Sequence, residues 1–272
     1  MNQTEAYQRF LALHQGDAAF VMPNPWDGMS ALLMKREGFP AIASTSLGIA
    51  FAAGLPDGRA AISREAAIAN AALMARLTGL PVNGDLEDGF GASPEDCAAT
   101  VEAAIAAGLA GLGIEDTTAD PGQPIHAFDH AVARMRAAVQ SARGRIVLTG
   151  RTDNFLFGRP DLDDTIRRLV AFAELGADVL YAPGLPDEAS IAAVVRAVAP
   201  KPVNVVVGPR GGALSVAALS ALGVRRISLG GVLYRHCMGA LVEAAGAMRR
   251  GDLSFAGKAP TSASLKALLP PG

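Results

Sequence analysis

The 272-residue sequence predicts an α/β protein built as one (β/α)8 barrel, also called a TIM barrel, with residues 1–272 forming a single domain. Eight short apolar runs recur about every 30 residues, each followed by a polar or glycine-rich turn and then by an alanine-rich amphipathic stretch. The length suits this fold, which typically needs about 250 residues. No composition change or low-complexity segment marks a domain boundary.

The eight runs are short and continuously apolar, as expected for parallel strands that are buried on both faces. They are Ala19–Met22, Ala41–Ser44, Pro81–Leu86, Gly111–Glu115, Ile146–Arg151, Asp178–Ala182, Pro202–Val206 and Arg226–Leu229. A doubly wound open sheet would use the same elements. The Gly-x-Gly-x-x-Gly turn that typically follows its first strand is absent, so the closed barrel is favoured.

The amphipathic stretches predict helices, among them Ser63–Thr78, Pro94–Ala107, Leu162–Leu175 and Glu188–Val198. Serines at 63 and 93 stand at N-cap positions, acidic residues follow in the first turn, and proline 94 occupies the first helical position. Residues 1–16 predict an extra N-terminal helix. Residues 254–272 are predicted to form a C-terminal tail or helix that folds onto a neighbouring subunit.

Composition and charge exclude several classes of protein. The chain has 24 basic and 26 acidic residues, and its net charge of −2 argues against nucleic acid or an anionic membrane as a partner. Cys97 and Cys237 match no zinc or redox spacing and predict free thiols in a reducing compartment. The uncharged run between Glu37 and Asp57 contains prolines and glycines and predicts strand plus loop, not a membrane helix. With no signal-peptide pattern at its start, the chain is expected to be cytoplasmic.

Charged residues stand where three successive predicted strands end, which is the face that carries function in such barrels. The third strand runs into Asp85 and Glu87, the fourth into Glu115 and the fifth into Arg151. Converging carboxylates repel one another unless a cation neutralises them, and without nearby His or Cys the predicted ion is Mg²⁺ or Mn²⁺. Arg151 would bind a substrate carboxylate or phosphonate bidentately. For any single acid, turn initiation or helix capping explains the residue equally well.

Other catalytic residue types are scarce. No lysine lies late in a predicted strand, which disfavours a Schiff-base aldolase, and no Ser-His-Asp order or nucleophile elbow is present. His126, in the loop after the fourth strand, could act as an acid or base or be an ordinary loop residue. Glycine-rich turns at 208–212 and 229–231 are typical of phosphate sites after the last barrel strands, but they also permit close helix packing.

Six blocks of sequence resemble the isocitrate lyase/phosphoenolpyruvate mutase superfamily, in order and over almost the whole chain. They are Asn24–Asp27, Leu55–Gly58, Gly84–Gly91, Gly113–Asp116, Gly150–Asp153 and Pro202–Asn204. The most specific of them is Asp-x-Glu-Asp-Gly-Phe-Gly, which begins at Asp85.

The resemblance implies a (β/α)8 barrel that forms a homo-oligomer, a dimer or usually a tetramer, with the last helix exchanged between paired subunits. It implies Mg²⁺-dependent (or Mn²⁺-dependent) cleavage or formation of a C–C or P–C bond in a small 2-oxo or 2-hydroxy carboxylate.

By motif, the resemblance also assigns roles to individual residues. Asp85 would hold the metal, directly or through water, with Asp57, Glu87 and Glu115 around it. The implied catalytic residues are Arg151, which neutralises developing charge, together with Asp57 and Glu115. The implied substrate contacts are Arg151, Thr45, Ser46, Leu47, Trp26 and Asn204.

The loop after the fourth strand departs from the superfamily's lyases. Isocitrate and methylisocitrate lyases carry Lys-Lys/Arg-Cys-Gly-His there, whereas residues 117–123 of this chain contain neither Cys nor Lys, and Cys97 lies in a predicted helix before that strand. The lysine and asparagine that the mutase's loop normally carries are also missing.

Three hypotheses follow from this departure. The first is a Mg²⁺-dependent lyase on a small dicarboxylate, oxaloacetate-decarboxylase-like, which needs a metal-stabilised enolate but no cysteine acid. The second is a P–C bond hydrolase or mutase on phosphonopyruvate, since Thr118 and His126 resemble the hydrolase branch. The third is a 2-oxo-acid-binding protein with little turnover.

Overall fold

Eight parallel strands form the centre of the molecule in a computed structural model, which describes residues 1–58, 61–208 and 214–270. The strands are β1 (Phe20–Met22), β2 (Ile42–Ala43), β3 (Val82–Asp85), β4 (Gly111–Glu115), β5 (Val147–Arg151), β6 (Val179–Tyr181), β7 (Val203–Val206) and β8 (Arg226–Ser228). Each lies within the run that the sequence predicts, so all eight predicted strands are confirmed.

The strands close into a barrel. They pair in the order β1-β8-β7-β6-β5-β4-β3-β2, with every pair parallel. Between the two ends of this order, the Ala43 N–H donates to the carbonyl oxygen of Pro23 at 2.9 Å. The (β/α)8 prediction is therefore confirmed, and the carboxyl ends of all eight strands meet at one face.

Helices surround the barrel. They are α1 (Gln3–His14), α2 (Gly28–Arg36), α3 (Ser46–Ala52), α4 (Arg64–Thr78), α5 (Pro94–Ala106), α6 (Phe128–Ala142), α7 (Leu162–Leu175), α8 (Glu188–Val198), α9 (Val216–Ala221), α10 (Val232–Arg249) and α11 (Ser262–Lys266). Ser63 and Ser93 accept from backbone N–H groups of the first turn, which confirms the predicted N-caps.

Helix α1 is the predicted extra helix, and it closes the amino-terminal end of the barrel. Phe10 is fully buried in a cluster that includes Val147 and Val179 of the barrel interior. A Cβ on Gly111 of β4 would come within 2.6 Å of the Phe10 ring, so glycine is needed for this close approach. His14, at the end of α1, is buried beneath β8, where its Nε2 lies 3.4 Å from Nη1 of Arg226. The first helix is thus part of the barrel core.

The burial of His14 predicts how the stability of the folded chain depends on pH. Burial, followed by the charge of Arg226, lowers the pKa of His14 to about 3. At pH values between 6.5, its ordinary pKa, and about 3, His14 is protonated in the unfolded chain and neutral in the folded chain. The free energy of unfolding therefore decreases as pH falls through this range, by about 1.4 kcal/mol per pH unit. We expect urea denaturation of His14→Gln at pH 6.5, 5.5 and 4.5 to show a shallower loss than the wild type; parallel losses would contradict this.

After β8 the chain continues through α10, a 3₁₀ helix at Ser254–Lys258 and α11. Helix α10 buries Tyr234, whereas Leu241 and Val242 on its second half are exposed. The exchange of this region between subunits stays a prediction. No helix in the described ranges is long and apolar enough to cross a bilayer.

Candidate active site

A cavity opens at the carboxyl ends of the strands and reaches down into the barrel. Its described lining residues are Met22, Asn24, Ala43, Ser44, Asn83, Gly84, Asp85, Gly113, Glu115, Thr149, Arg151, Tyr181, Asn204, Arg226, Ser228 and Gly230. Four residues that the sequence singles out (Asp85, Glu115, Arg151 and Asn204) are therefore brought together here. Gly113 enlarges the cavity, because a Cβ at this position would meet no atom within 4 Å.

Arg151 is the centre of the charged cluster. Its Nε and Nη2 donate to the two oxygens of Asp153 at 2.6 and 2.8 Å. Its Nη1 lies 2.7 Å from Oε1 of Glu115 and 3.8 Å from Oδ1 of Asp85. The bidentate partner is thus Asp153, a residue of the chain, and Nη1 is the part of the guanidinium that faces the other two acids.

Asp153 is itself held by residues behind the cavity. Its backbone N–H donates to Oδ1 of Asp116 at 3.0 Å, and the hydroxyl of Thr152 donates to Oδ2 at 2.7 Å. Asp116 also pairs with Nη1 of Arg168 at 3.1 Å. The Asp116 carboxylate therefore fixes the backbone turn that presents Asp153 to Arg151, and it caps no helix.

The acids outnumber the positive charge available to them. Burial raises the pKa of Glu115 well above its ordinary value; Arg151 opposes the rise, while Asp153 and Asp85 add to it. The pKa of Asp153 is also raised, first by burial. Asp57 lies on the loop after α3, and its pKa is raised by burial and then by the charge of Asp85. Burial is the largest cause of the raised pKa in all three carboxyls, and in each of them the charge of Asp85 adds to it.

The donor set fits a hard divalent ion held by few direct protein ligands. Among the described residues, no three His, Cys, Asp or Glu side chains are arranged to hold one ion together. Mg²⁺ commonly keeps several waters and binds through one or two carboxylates, so Asp85 as a direct ligand, with Glu115 and Asp57 further out, suits it. The Ser46 N–H donates to Oδ2 of Asp85 at 2.8 Å and orients this carboxylate, and the Ser46 hydroxyl donates to Asp57 at 3.3 Å.

Glu87 lies elsewhere. It is buried, its backbone adopts a φ of 48°, and its carbonyl oxygen accepts the N–H of Glu115 at 3.0 Å. It is not among the described residues that line the cavity. The same loop is fastened from outside by Arg134 of α6, whose Nη2 donates to the carbonyl oxygens of Asp88 and Gly91. The metal role of Glu87 stays a prediction that the contacts do not strengthen.

The segment predicted to bind the substrate carboxylate begins a short helix. Thr45 is the N-cap of α3, and its hydroxyl accepts the Gly48 N–H at 3.4 Å. Leu47 packs on Gly231, where a Cβ would come within 2.7 Å of its Cδ2. The Trp26 ring stacks edge-on against Tyr234 at 5.2 Å. Leu47 and Trp26 therefore shape the rim on the side of β8 and lie outside the cavity lining.

Tyr181 and Arg226 are charged or ionisable cavity residues that the sequence-based set does not include. Tyr181 ends β6, and its ring lies 5.1 Å from the Arg151 guanidinium carbon. Burial is the largest cause that raises the pKa of Tyr181, and three nearby acids add to it. Extending the strand-end test to the sixth strand would have found it. Arg226 opens β8 and reaches the cavity from below. No strand-end signal marks it, because it stands at the opposite end of its strand.

The loop after β4 folds on itself. The Thr118 N–H donates to the Pro124 carbonyl oxygen at 2.9 Å, and the Thr118 hydroxyl donates to the Gln123 carbonyl oxygen at 2.6 Å. His126 is buried, packs on His130 at 4.7 Å and has a pKa lowered to about 4, first by burial. Neither Thr118 nor His126 lines the cavity.

Of the two glycine-rich turns, only the one at 229–231 lies wholly within the described residues. Residues 209–212 of the first turn lie outside the described residues. In the second turn, the N–H groups of Leu229 and Gly230 both donate to Oδ1 of Asn24, at 2.9 and 3.0 Å. Asn24 also donates to the Ser44 carbonyl oxygen at 3.0 Å, so these groups join the loops after β1, β2 and β8.

Comparisons with known proteins agree with this arrangement. A family model described as phosphoenolpyruvate phosphomutase matches residues 10–249. The chain is 35% identical over 245 residues to an uncharacterised protein of Mycobacterium tuberculosis (strain CDC 1551 / Oshkosh), covering 89% of this chain and 90% of that protein. A crystal structure from Burkholderia cenocepacia J2315, named as a candidate lyase/mutase, superposes with a TM-score of 0.93 and 47% identity, covering 97% of this chain and 95% of that chain. Oxaloacetate acetylhydrolase in complex with the inhibitor 3,3-difluorooxalacetate superposes with a TM-score of 0.88 and 26% identity, covering 98% of this chain and 94% of that chain.

Proposed function

Since the chain belongs to the phosphoenolpyruvate phosphomutase family, within the isocitrate lyase/phosphoenolpyruvate mutase superfamily of enzymes, we propose that it is a Mg²⁺-dependent carbon–carbon lyase. Its substrate would be a small 2-oxo or 2-hydroxy dicarboxylate, and the bond cleaved would be the one next to the 2-oxo or 2-hydroxy group, as in the decarboxylation of oxaloacetate. Membership of a superfamily of lyases and mutases makes the chain an enzyme, so a binding protein with little turnover is set aside.

The observation that carries this proposal is the composition of the cavity wall. Asp85, Glu115 and Arg151 meet there, and Tyr181 adds a hydroxyl, but the described lining holds no thiol, lysine or imidazole. A wall of this kind can stabilise an enolate and supply a weak acid, and it has no cysteine acid for the isocitrate-lyase type of cleavage. Decarboxylation needs only stabilisation of the enolate and a weak acid.

Each residue has a role in that reaction. Mg²⁺, when bound, would polarise the 2-oxo and carboxylate oxygens and stabilise the enolate that remains when CO₂ leaves. Asp85 would hold the ion, with Glu115 and Asp57 as the neighbouring carboxylates. Arg151 would face the developing oxyanion with Nη1, while Asp153 holds its other two nitrogens.

Tyr181 would supply the proton. Loss of CO₂ leaves the electron pair on the enolate, and a proton delivered to the former C–C bond carbon completes the product. Burial and the neighbouring carboxylates keep the Tyr181 hydroxyl protonated, as a donor requires. The phenolate would then recover its proton from water. The oxaloacetate chemistry of the acetylhydrolase supports a substrate of this class.

The second candidate is cleavage of the P–C bond of phosphonopyruvate, favoured by the name of the matching family model. Thr118 and His126, the two residues that would carry this reaction, support it less well than the cavity residues support the first candidate. The Thr118 hydroxyl is engaged within its own loop, and His126 is buried behind the cavity.

Pyruvate release decides between the two candidates. We would follow it with lactate dehydrogenase and NADH from oxaloacetate and from phosphonopyruvate, each with Mg²⁺ and with EDTA, against a blank of metal alone. We expect Mg²⁺-dependent turnover of oxaloacetate that survives Cys97→Ser and the double change Thr118→Val, His126→Gln. Release from phosphonopyruvate alone, lost in the double variant, would replace the first proposal by the second. Loss of oxaloacetate turnover in Cys97→Ser would contradict a thiol-free mechanism.

A further inference from the structure

Arg226 is a buried cation with no acidic partner in the part of the chain that the structure describes. Its residue exposure is 2%, and none of the ion pairs among the described residues includes it. Burial lowers its pKa to about 9, so it stays charged at neutral pH. A buried charge without a counter-ion costs several kcal/mol in general, so the hydrogen bonds that Arg226 donates have to offset this cost. Arg226 lines the floor of the cavity described above.

The guanidinium reaches three elements across the barrel. Nε donates to Oδ1 of Asn204 on β7 at 3.0 Å, and Nη2 donates to Oγ1 of Thr149 on β5 at 2.9 Å. Nη1 lies 3.4 Å from Nε2 of His14 on α1. The other ring nitrogen of His14 is 2.8 Å from the Phe10 carbonyl oxygen and must donate to it, so Nε2 of the neutral ring is an acceptor. All three partners therefore accept from Arg226.

These contacts fix the polarity of the floor, because a guanidinium has donors and no acceptor. The Asn204 amide must turn its oxygen to Arg226, which leaves Nδ2 to donate to the Ser228 hydroxyl at 3.0 Å. One amide hydrogen of Asn204 is then left over. Thr149 and Ser228 each accept one bond and keep a hydroxyl proton to donate. All three residues line the cavity.

We propose that Arg226 is a positioning residue that turns Asn204, Thr149 and Ser228 into hydrogen-bond donors, so that the floor selects a carboxylate group of the substrate. Asn204 and Ser228 stand on β7 and β8, across the barrel from Asp85 on β3. The carboxylate selected is thus the second one of a dicarboxylate, whose other end meets the acids and the ion. The substrate class in this proposal rests on the proposed function. The assignment of the floor groups as donors rests on the hydrogen bonds alone.

The test measures binding, so that it does not depend on turnover. We would titrate malate and its 4-monoamide, which differ by one carboxylate, into the protein with Mg²⁺ by calorimetry. Hydrogen bonds to a charged group are worth about 10- to 100-fold in affinity, and we expect the wild type to prefer malate by that factor. In Arg226→Met the preference should fall below about 3-fold. Equal affinity of the wild type for both ligands, or binding of neither, would overturn the proposal.

The matched control is Arg225→Met, the neighbouring residue, whose side chain lies at the opposite end of the barrel and lines no part of this cavity. It should keep the full preference for malate. A merely structural role for Arg226 would lower the melting temperature of Arg226→Met and leave the preference intact, which would contradict the proposal.

Asn204→Asp covers the case in which Arg226→Met does not fold. The new carboxylate would pair with Arg226 at the position of Oδ1, so the variant should melt no lower than the wild type, yet it loses the amide donor and should lose the preference. A folded Asn204→Asp that still prefers malate would overturn the proposal. If no variant or wild-type protein releases pyruvate from oxaloacetate while the Arg226-dependent preference is present, the proposed function fails and this inference stands.

Discussion

Replacing Asp85 by Asn is expected to lower kcat/KM for oxaloacetate by about 10³-fold or more, equivalent to about 4 kcal/mol of transition-state stabilisation. The amide keeps nearly the same volume and can still accept the Ser46 N–H that now donates to Oδ2 at 2.8 Å. What it loses is the negative charge, and Asp85 is the acid of the cluster best placed to bind the ion directly. The Mg²⁺ concentration that gives half-maximal activity should rise in parallel.

The measurement is initial rate against Mg²⁺ concentration for Asp85→Asn and for Asp163→Asn, which changes an exposed acid in the first turn of α7. The control should keep wild-type rates and wild-type Mg²⁺ dependence. Melting temperatures show whether both variants are folded. A folded Asp85→Asn with near-normal rates at the wild-type Mg²⁺ requirement would remove Asp85 from the metal site and, with it, the central element of the proposed mechanism.

Arg151→Met is expected to abolish activity and also to destabilise the protein by about 3–5 kcal/mol at neutral pH. The arginine is the partner of Asp153 and of Glu115, at 2.6 and 2.7 Å, and their carboxylates are 2% and 13% exposed. Its removal leaves buried acids without a counter-charge. Their pKa values, already raised in the wild type, should then rise further.

The pH dependence of this loss has a definite sign. An acid with a raised pKa in the folded state holds a proton that the unfolded chain has already released, so stability increases as pH falls towards the ordinary carboxyl pKa. Arg151→Met should therefore recover part of its lost stability between pH 8 and pH 5.5 in urea denaturation without metal. Arg36→Met, which removes an exposed ion pair with Glu37, serves as the control and should match the wild type at both values. A pH-independent deficit in Arg151→Met would contradict the assigned charge balance.

Local pattern was sufficient to predict the strands of this protein and several of its helices. The eight apolar runs contain the eight observed strands, and Ser63 and Ser93 cap their helices as predicted. This success has a physical basis, because strand burial, helix amphipathicity and capping depend on residues within one or two turns of each other. The rule that function lies at the strand ends then predicted that Asp85, Glu115 and Arg151 share one face, since the carboxyl ends of all parallel strands lie on the same side of the barrel.

Contacts between distant strands decided the rest. The sequence predicts that Arg151 binds a substrate group bidentately, whereas in the folded chain its bidentate partner is Asp153, two residues further on. The sequence also assigns Glu87 a metal role, which stays a prediction: the carbonyl oxygen of Glu87 accepts the N–H of Glu115, and Glu87 is not among the described residues that line the cavity. Sequence reasoning missed Tyr181 and Arg226, whose importance comes from what they face inside the barrel.

By itself the sequence determined the (β/α)8 barrel, the runs that contain its strands, the face on which the candidate site lies and the superfamily to which the chain belongs. Only the tertiary structure decided which charged groups pair and how the floor of the cavity is polarised. The physical reason is the distance along the sequence between the residues that make these contacts. The Arg226–Thr149 bond joins positions 77 residues apart, and it exists because eight strands close into a ring, which no local window of the chain encodes.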